Sequence, residues 1–395
     1  RYSRVVQMAL VCLFHPSSGF FTCPLAMTDG AARTLIESKN KELIEKVVPR
    51  LSTDEPEQFW LSGQWMTETP GGSDLRCSET EARKENSTWK LYGKKWFTSA
   101  VHSSMALVLA RPEDQEDLAL FYVNLEENRR PGKNMTIDRL KDKLGTRRLP
   151  TAEVTLDGLP ATPVDGTSGG IKAIAPMLNR TRLWNSACAV GTLRRGLNLL
   201  KNYAEKRETF GEALIKKPMF QEVVRKLETE CKSGLLLTLH VARIMGRIES
   251  DDAHEQDSLL LRVLTPLAKI STARQSVHGI SEIIEGFGGA GYIEDTGLPR
   301  MLRDAQVFPI WEGPTNVLIL EFLNTCLKRD GWRVIREDLR RREQHLRDDG
   351  MDHLCTELSK RIQKVEALFK QSDGDRARLE TNGRPIAFTT TRAYH

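Results

Sequence analysis

Four long segments of helical periodicity follow one another in the second half of the chain. They lie near Arg182 to Arg207, Met219 to Ile248, Leu259 to Glu285 and Pro314 to Leu327, with mostly short links. Stripes of that length bury best against one another, so the pattern predicts a helical bundle. The stretch before them has another texture. Between Gly63 and about Val164, short β-rich runs (Thr88 to Thr98, Met105 to Ala110, Leu118 to Leu125, Ala152 to Leu156) are broken by Gly, Pro and Asn or Asp clusters. That predicts a small antiparallel β domain. The opening segment reads as helix to about Leu61, because Leu35, Ile36, Leu43, Ile44, Val47 and Val48 recur at helical spacing and Pro49 closes the pattern. Beyond the bundle, a stripe from Trp332 through Leu339 and Leu358 to Phe369 continues the helical spacing on a charged background. From about Ser372 the residues are polar and aperiodic, and are expected to be disordered. The fold class is therefore α+β: a helical N-terminal segment over 1–61, a β domain over 62–168, a bundle over 169–328, a basic helical extension over 329–371 and a disordered tail over 372–395.

The net charge of +5 is mild and argues neither for nor against a nucleic-acid partner. Its distribution says more, because from Lys328 onward 16 Lys and Arg stand against 12 Asp and Glu, which places most of the excess in the tail. There the positive charges alternate with acids (Arg336, Glu337, Asp338, Arg340), the pattern of a solvated helix face rather than of a phosphate-binding stripe. Seven scattered cysteines without a CxxC pair give neither a disulfide framework nor a zinc site, and point to an intracellular, reducing compartment. None of the eight histidines forms a metal-binding pair, so no metal is expected. No apolar run approaches the roughly 20 residues of a membrane span; the longest candidate, Val5 to Phe14, contains Gln7. Residue 1 is arginine, so the N-terminal domain is expected to be truncated and a targeting peptide is not visible; cytoplasm, mitochondrion and peroxisome are not distinguished.

Several short motifs carry chemistry. In MTETPGGSD (Met66 to Asp74) two glycines let a ligand approach the main chain, and Thr67 and Ser73 add hydroxyls; an ordinary capped hairpin turn gives the same pattern. GKKWFTSA (Gly93 to Ala100) sets Trp96 and Phe97 beside Thr98 and Ser99, suited to walling a flat ring or to filling a sheet core. In EKRETFG, Arg207 is placed either to clamp a diphosphate or to complement a helix C-terminus. EGFGGAGY (Glu285 to Tyr292) follows a helix, not a strand, and so is no dinucleotide fingerprint; its glycines allow close approach of a cofactor or a second subunit. In IWEGPTN (Ile310 to Asn316), Glu312 lies between an aromatic residue and a Gly-Pro turn. Partial desolvation there would raise its pKa toward that of a general base, while a plain charge at a helix N-terminus fits equally well.

The order of these five motifs resembles the acyl-CoA dehydrogenase family over about Gly19 to Thr325. RLKDKLGTR (Arg139 to Arg147), NRTRLWNSACAVG (Asn179 to Gly191), LLRVLTPLAK (Leu260 to Lys269) and the tryptophan of IWEG resemble its AidB-like branch and that branch's eukaryotic relatives. The resemblance implies a helical N-terminal domain, a central β domain and a four-helix bundle enclosing FAD, in a homo-oligomer (dimer or tetramer) whose subunits share cofactor contacts. It implies that Gln64, Met66, Thr67, Gly72 and Ser73 line the flavin, with Ser73 also near the acyl-CoA. Phe97, Thr98 and Ser99 would cover the ring; Arg207, Thr209 and Phe210 would reach FAD from a neighbouring subunit; and Glu285, Gly288, Gly289, Thr315 and Asn316 would complete the contact. Asn179, Thr181, Arg182 and Gly313 would border the thioester. Glu312 matches the family's usual base, and Thr181 leaves the alternative position on the NRTR helix without an acid. Glu285 and Lys217-Pro218 depart from the main family pattern toward the AidB branch. The implied reaction is α,β-dehydrogenation of a fatty acyl-CoA to a trans-2-enoyl-CoA; the electron acceptor is left open, an electron-transfer flavoprotein being one candidate. The rival reading is an AidB-like flavoprotein that acts by binding, sequestering acyl-CoA or contacting DNA.

Overall fold

The computed structural model describes residues 2–128, 134–372 and 374–395. Arg1 and Asp373, which fall in the first and last expected segments, lie outside the described residues. The helices and strands are, in chain order, α1 (Ser3–Phe14), α2 (Thr22–Glu37), α3 (Lys41–Ser52), β1 (Ser62–Trp65), β2 (Glu81–Glu85), β3 (Thr88–Ser99), β4 (Met105–Pro112), β5 (Ala119–Asn124), β6 (Met135–Leu140) and β7 (Thr151–Pro163). There follow α4 (Gly170–Ala173), α5 (Ala175–Lys206), β8 (Glu208–Thr209), β9 (Glu212–Ala213), α6 (Pro218–Glu249), α7 (Asp257–Gly286), α8 (Gly289–Tyr292), α9 (Leu298–Ala305), α10 (Thr315–Arg329), α11 (Gly331–Asp348), α12 (Asp352–Gln371) and α13 (Arg376–Tyr394). The chain divides into two compact units, one of residues 18–181 and one of residues 1–17 with 182–395. Among the described residues no helix is long and apolar enough to cross a membrane.

In the unit of residues 18–181, β4, β2, β3, β7 and β5 form a closed ring, because β5 pairs with both β7 and β4; β1 adds to β4 and β6 to β7. Most pairings are antiparallel as the sequence predicts, but β1 and β2 both run parallel to β4. The apolar run of β4 is explained by coverage of both faces. Leu107 and Leu109 join Met27, Leu35, Leu43 and Val47 of α2 and α3, while Ala106 and Val108 join Trp65, Phe121 and Val154. The sequence also predicts that Pro49 ends its helix; instead it sits in the last turn of α3. Glu45, whose carbonyl has no N–H of residue 49 to accept from, is exposed to solvent.

The MTETPGGSD loop is pinned from beneath. Glu68, buried, accepts hydrogen bonds from the Glu79 backbone N–H (2.6 Å), the Thr80 hydroxyl (2.6 Å), the Ser78 hydroxyl and the Lys95 ammonium (2.5 Å). Lys95 is wholly buried and also donates to the Leu109 carbonyl (2.7 Å). Burial pushes the Glu68 carboxyl up, but the Lys95 charge and the hydrogen bonds from Lys95, Ser78 and Thr80 outweigh it and leave it below its ordinary value. Its stabilising contribution is thus present above the usual carboxylate range and lost as pH falls through it.

In the other unit the four predicted bundle segments are α5, α6, α7 and α10, with boundaries within a few residues of expectation except at the start of α5, which begins seven residues early, at Ala175. α1 packs on α6 and α5: the Gly191 position is so close to it that a Cβ would lie 2.5 Å from the Cys12 carbonyl oxygen. A buried bidentate pair, Arg247 to Asp257 (2.9 and 2.6 Å), closes the α6–α7 turn. The single charged extension resolves into α11 and α12, broken at Gly350 (φ 72°).

The expectation of disorder beyond Ser372 is corrected, since α13 is a helix. Asp375 caps it by accepting from the Arg378 N–H (3.1 Å), and Leu379, Gly383, Ile386, Ala387 and Thr390 are its buried stripe. The period is present, but beside Leu379 and Ile386 it is written in Gly, Ala and Thr. Gly383 lets α13 lie against α10, where a Cβ would come within 2.9 Å of Ile319. In the extension many basic residues pair with local acids, as in Arg333 with Asp330 and Glu337, Arg342 with Asp338, and Arg347 with Glu343.

Two substitutions test this packing. Gly191→Ala forces α1 away from α5 and is expected to cost about 1–3 kcal/mol, read as a lower urea midpoint at unchanged m. Lys95→Met strands the Glu68 carboxylate and is expected to cost about 3–5 kcal/mol near neutral pH. That loss should shrink in urea titrations at pH low enough to protonate Glu68.

Candidate active site

The residues around Glu312 form a turn between α9 and α10, whose first residue is Thr315, with Pro314 as the cap. Glu312 and Gly313 both have positive φ (57° and 102°). For a glutamate this left-handed geometry costs on the order of 1–2 kcal/mol, so something must hold it. Three helices do. From α5, Arg182 donates through Nε to the Glu312 carbonyl (3.1 Å) and through Nη1 to Glu321 Oε1 of α10 (3.0 Å). One turn along the same face of α5, Asn185 Oδ1 accepts from Trp311 Nε1, and Asn185 Nδ2 donates to the Phe308 carbonyl (3.4 Å). From α7, Lys269 Nζ donates to the Gly313 carbonyl (2.7 Å).

Consecutive carbonyls of the Glu312–Gly313 turn are thus each held by a buried cation, Arg182 at 7% and Lys269 at 0% exposure. Burial pushes the Lys269 amine down to about 7, opposed by the charge of Glu312 and assisted by that of Arg182. Glu312 itself is half-buried. A carboxylate presented on a fixed, partly desolvated turn is placed for general-base work.

The remaining expected site residues are distributed over both units. In the unit of residues 18–181, Gln64 has a buried side-chain oxygen without a hydrogen-bond partner among the described residues, and Met66 is buried beside it in sequence. Thr67 is half-buried, whereas Gly72 and Ser73 are exposed at the loop tip. Phe97 is 47% exposed and meets Trp96 edge-on, with the Lys141 ammonium 3.1 Å from the Trp96 ring centre. Thr98 is fully buried and its hydroxyl donates to the Ala152 carbonyl (2.6 Å), so that proton is already used; Ser99 shares a hydrogen bond with Thr151 (3.0 Å). Asn179 is half-buried on α5, and Thr181 hydrogen-bonds back to the Met177 carbonyl (3.2 Å).

In the other unit, Arg207 follows the end of α5 and is exposed. β8 and β9 form a hairpin whose two turn residues, Phe210 (φ 51°) and Gly211 (φ 78°), are both left-handed, and Phe210 is completely exposed. Thr209 is half-buried within it. Glu285 is exposed at the end of α7. Gly288 (φ 62°) and Gly289 follow it, with no atom within 4 Å of the place a Cβ would take. Thr315 is buried, and Asn316 accepts a hydrogen bond from Arg384 Nε of α13 (2.9 Å).

In one unit a buried amide oxygen without a partner among the described residues and the exposed Phe97, and in the other an open glycine cradle and the exposed Phe210, are each groups of the kind that hold part of a ring-and-diphosphate cofactor such as FAD. Sequence reasoning passed over Asn185, Lys269 and Glu321. The available signals were a lysine alone in the apolar segment LTPLAKIS and an asparagine three residues after Arg182.

Profiles of the acyl-CoA dehydrogenase middle domain and C-terminal domain match residues 63–159 and 168–324. Acyl-CoA dehydrogenase family member 11 of Caenorhabditis elegans is 38% identical over 99% of this chain and 67% of its own length. AidB of Escherichia coli strain K12 is 31% identical over 78% of this chain, which spans 58% of that protein. The crystal structure of Caenorhabditis elegans ACDH-11 in complex with C11-CoA superposes with a TM-score of 0.93 at 36% identity, covering 99% of this chain and 69% of that one. With a relative at 38% identity and both domain profiles matched in order, the chain belongs to the acyl-CoA dehydrogenase family, whose members are FAD-binding oxidoreductases acting on CH–CH bonds.

Proposed function

We propose that this protein catalyses the FAD-dependent α,β-dehydrogenation of a fatty acyl-CoA, with Glu312 as the base. The observation that carries the reading is the Glu312 turn, a strained, partly desolvated carboxylate held at its backbone by Arg182 and Lys269. Such an arrangement fixes the backbone of the turn that carries the base. Glu312 removes the proton from the carbon next to the thioester carbonyl, and the neighbouring carbon releases hydride, so that a trans-2-enoyl thioester is formed. Bound FAD would supply the hydride acceptor. Gln64, Thr67, Phe97, Arg207, Gly288 and Gly289 are the residues we assign to holding it. The C11-CoA bound by the worm relative makes a fatty acyl-CoA the substrate class to test.

Phe210 supports a shared site in an oligomer. A fully exposed phenylalanine in left-handed backbone at a hairpin tip is a costly arrangement for an isolated subunit, and a neighbouring copy's cofactor would cover it. The local acid pairing of the tail arginines gives no support to the DNA-binding alternative.

Glu312→Gln should retain FAD but lose acyl-CoA-dependent bleaching of the flavin absorbance by at least about 10²-fold, in line with removal of a general base. Undiminished bleaching would reject the assignment. Phe210→Ser should weaken FAD retention on gel filtration while leaving the thermal midpoint of the apoprotein within a few degrees of wild type.

A further inference from the structure

A lysine buried to 0% exposure whose ammonium donates to the neutral Gly313 carbonyl is an expensive way to fill space in α7. An apolar side chain of the same length would do that without desolvating a charge. What singles out position 269 is where the ammonium arrives: on the turn that carries Glu312, next to the carbonyl gripped by Arg182. The charged groups that face it are Glu312 on the turn and Arg182 on α5, the latter paired with Glu321 on α10. Arg182 therefore has a carboxylate of its own, whereas the hydrogen bonding of Lys269 is to a neutral carbonyl, so its charge is directed at Glu312.

We propose that Lys269 is the positioning residue of the catalytic base: it fixes the Glu312–Gly313 turn through the Gly313 carbonyl and, when protonated, favours the ionised form of the Glu312 carboxylate. The inference rests on the dehydrogenase reading given above. Two consequences separate a charge role from a merely structural one. First, while Lys269 is charged it holds Glu312 ready to accept a proton; once it is neutral, that help is gone. Burial sets this change at about pH 7. Second, the amine is depressed in the folded state. Unfolded chains therefore bind more protons than folded ones between about pH 7 and the ordinary lysine range, and the cost of burying Lys269, full below pH 7, is relieved as pH rises through that window.

The test uses FAD-loaded wild type, Lys269→Met and Lys269→Gln, the last retaining a donor for the Gly313 carbonyl without the charge. Acyl-CoA-dependent flavin reduction is measured from pH 5.5 to 9, alongside thermal midpoints over pH 6 to 10.5. Both variants should move the acidic limb of the rate profile to higher pH by about one unit, as expected for loss of a neighbouring opposite charge. Rates should be several-fold below wild type at pH 6, with the gap closing by pH 8.5. KM should change little. The thermal midpoint of wild type should rise relative to Lys269→Met between pH 7 and 10. Superimposable rate profiles for all three proteins would overturn the proposal, as would a wild-type-minus-Met midpoint difference that does not depend on pH. If Lys269→Met fails to fold, Lys269→Gln carries both readouts. Failure of the underlying reading looks different: wild type would not be bleached by any acyl-CoA, while the stability difference would still report on Lys269.

Discussion

A pair of buried cations reaching consecutive backbone carbonyls is the contact on which the rest of the site depends. Arg182 takes the carbonyl of Glu312 and Lys269 that of Gly313, from helices distant in sequence. Without them the turn would relax from its left-handed backbone, which no glutamate adopts cheaply. The cost of desolvating Arg182 is offset by its hydrogen bonds and its pairing with Glu321, whereas that of Lys269 is offset only in part, since burial still holds its amine down to about 7. Trp311 and Asn185 extend the grip to the preceding residues, so the turn is fixed at its side chains as well as at its main chain. The same solution recurs in the β domain. There a wholly buried Lys95 meets Glu68, and the loop expected to face the flavin is anchored by a polar cluster rather than by apolar packing. Both loops are short and irregular, with backbone that regular hydrogen bonding does not fix. Charged groups inserted from regular elements give them a unique conformation instead.

Much of this was legible beforehand, for identifiable reasons. The long helices α6, α7 and α10 came close to their observed ends because a wide apolar stripe over thirty or fifteen residues leaves no competing period. β3, β4, β5 and β7 were visible as apolar or aromatic runs. β1, β2 and β6 were not: β1 is four residues long, and β2 and β6 are largely exposed polar strands, so neither alternation nor hydrophobicity marks them. α13 was missed for a related reason, since Leu379 and Ile386 stand in its stripe among Gly383, Ala387 and Thr390, small or polar residues that read as coil.

At the site, Glu312 was singled out because IWEGPTN is a contiguous motif, although those residues alone fit a charge at a helix N-terminus equally well. Its supports were not. Lys269 stands 43 positions upstream and Arg182 130, and only the packing of α5 and α7 brings them to the turn. Arg182 was expected at the thioester, yet its guanidinium is occupied by Glu312 and Glu321. Thr98 and Asn316 show the same limit, because each has a partner, Ala152 and Arg384, that no local pattern announces.

The central claim is that Glu312 begins the reaction by taking a proton from the carbon next to the thioester. The most direct measurement is stopped-flow reduction of the FAD-loaded wild-type protein by a fatty acyl-CoA deuterated at that carbon alone. The account predicts a primary isotope effect on the flavin reduction rate. Reduction at the same rate with the deuterated and the ordinary substrate, under conditions where the chemical step is rate-limiting, would contradict it.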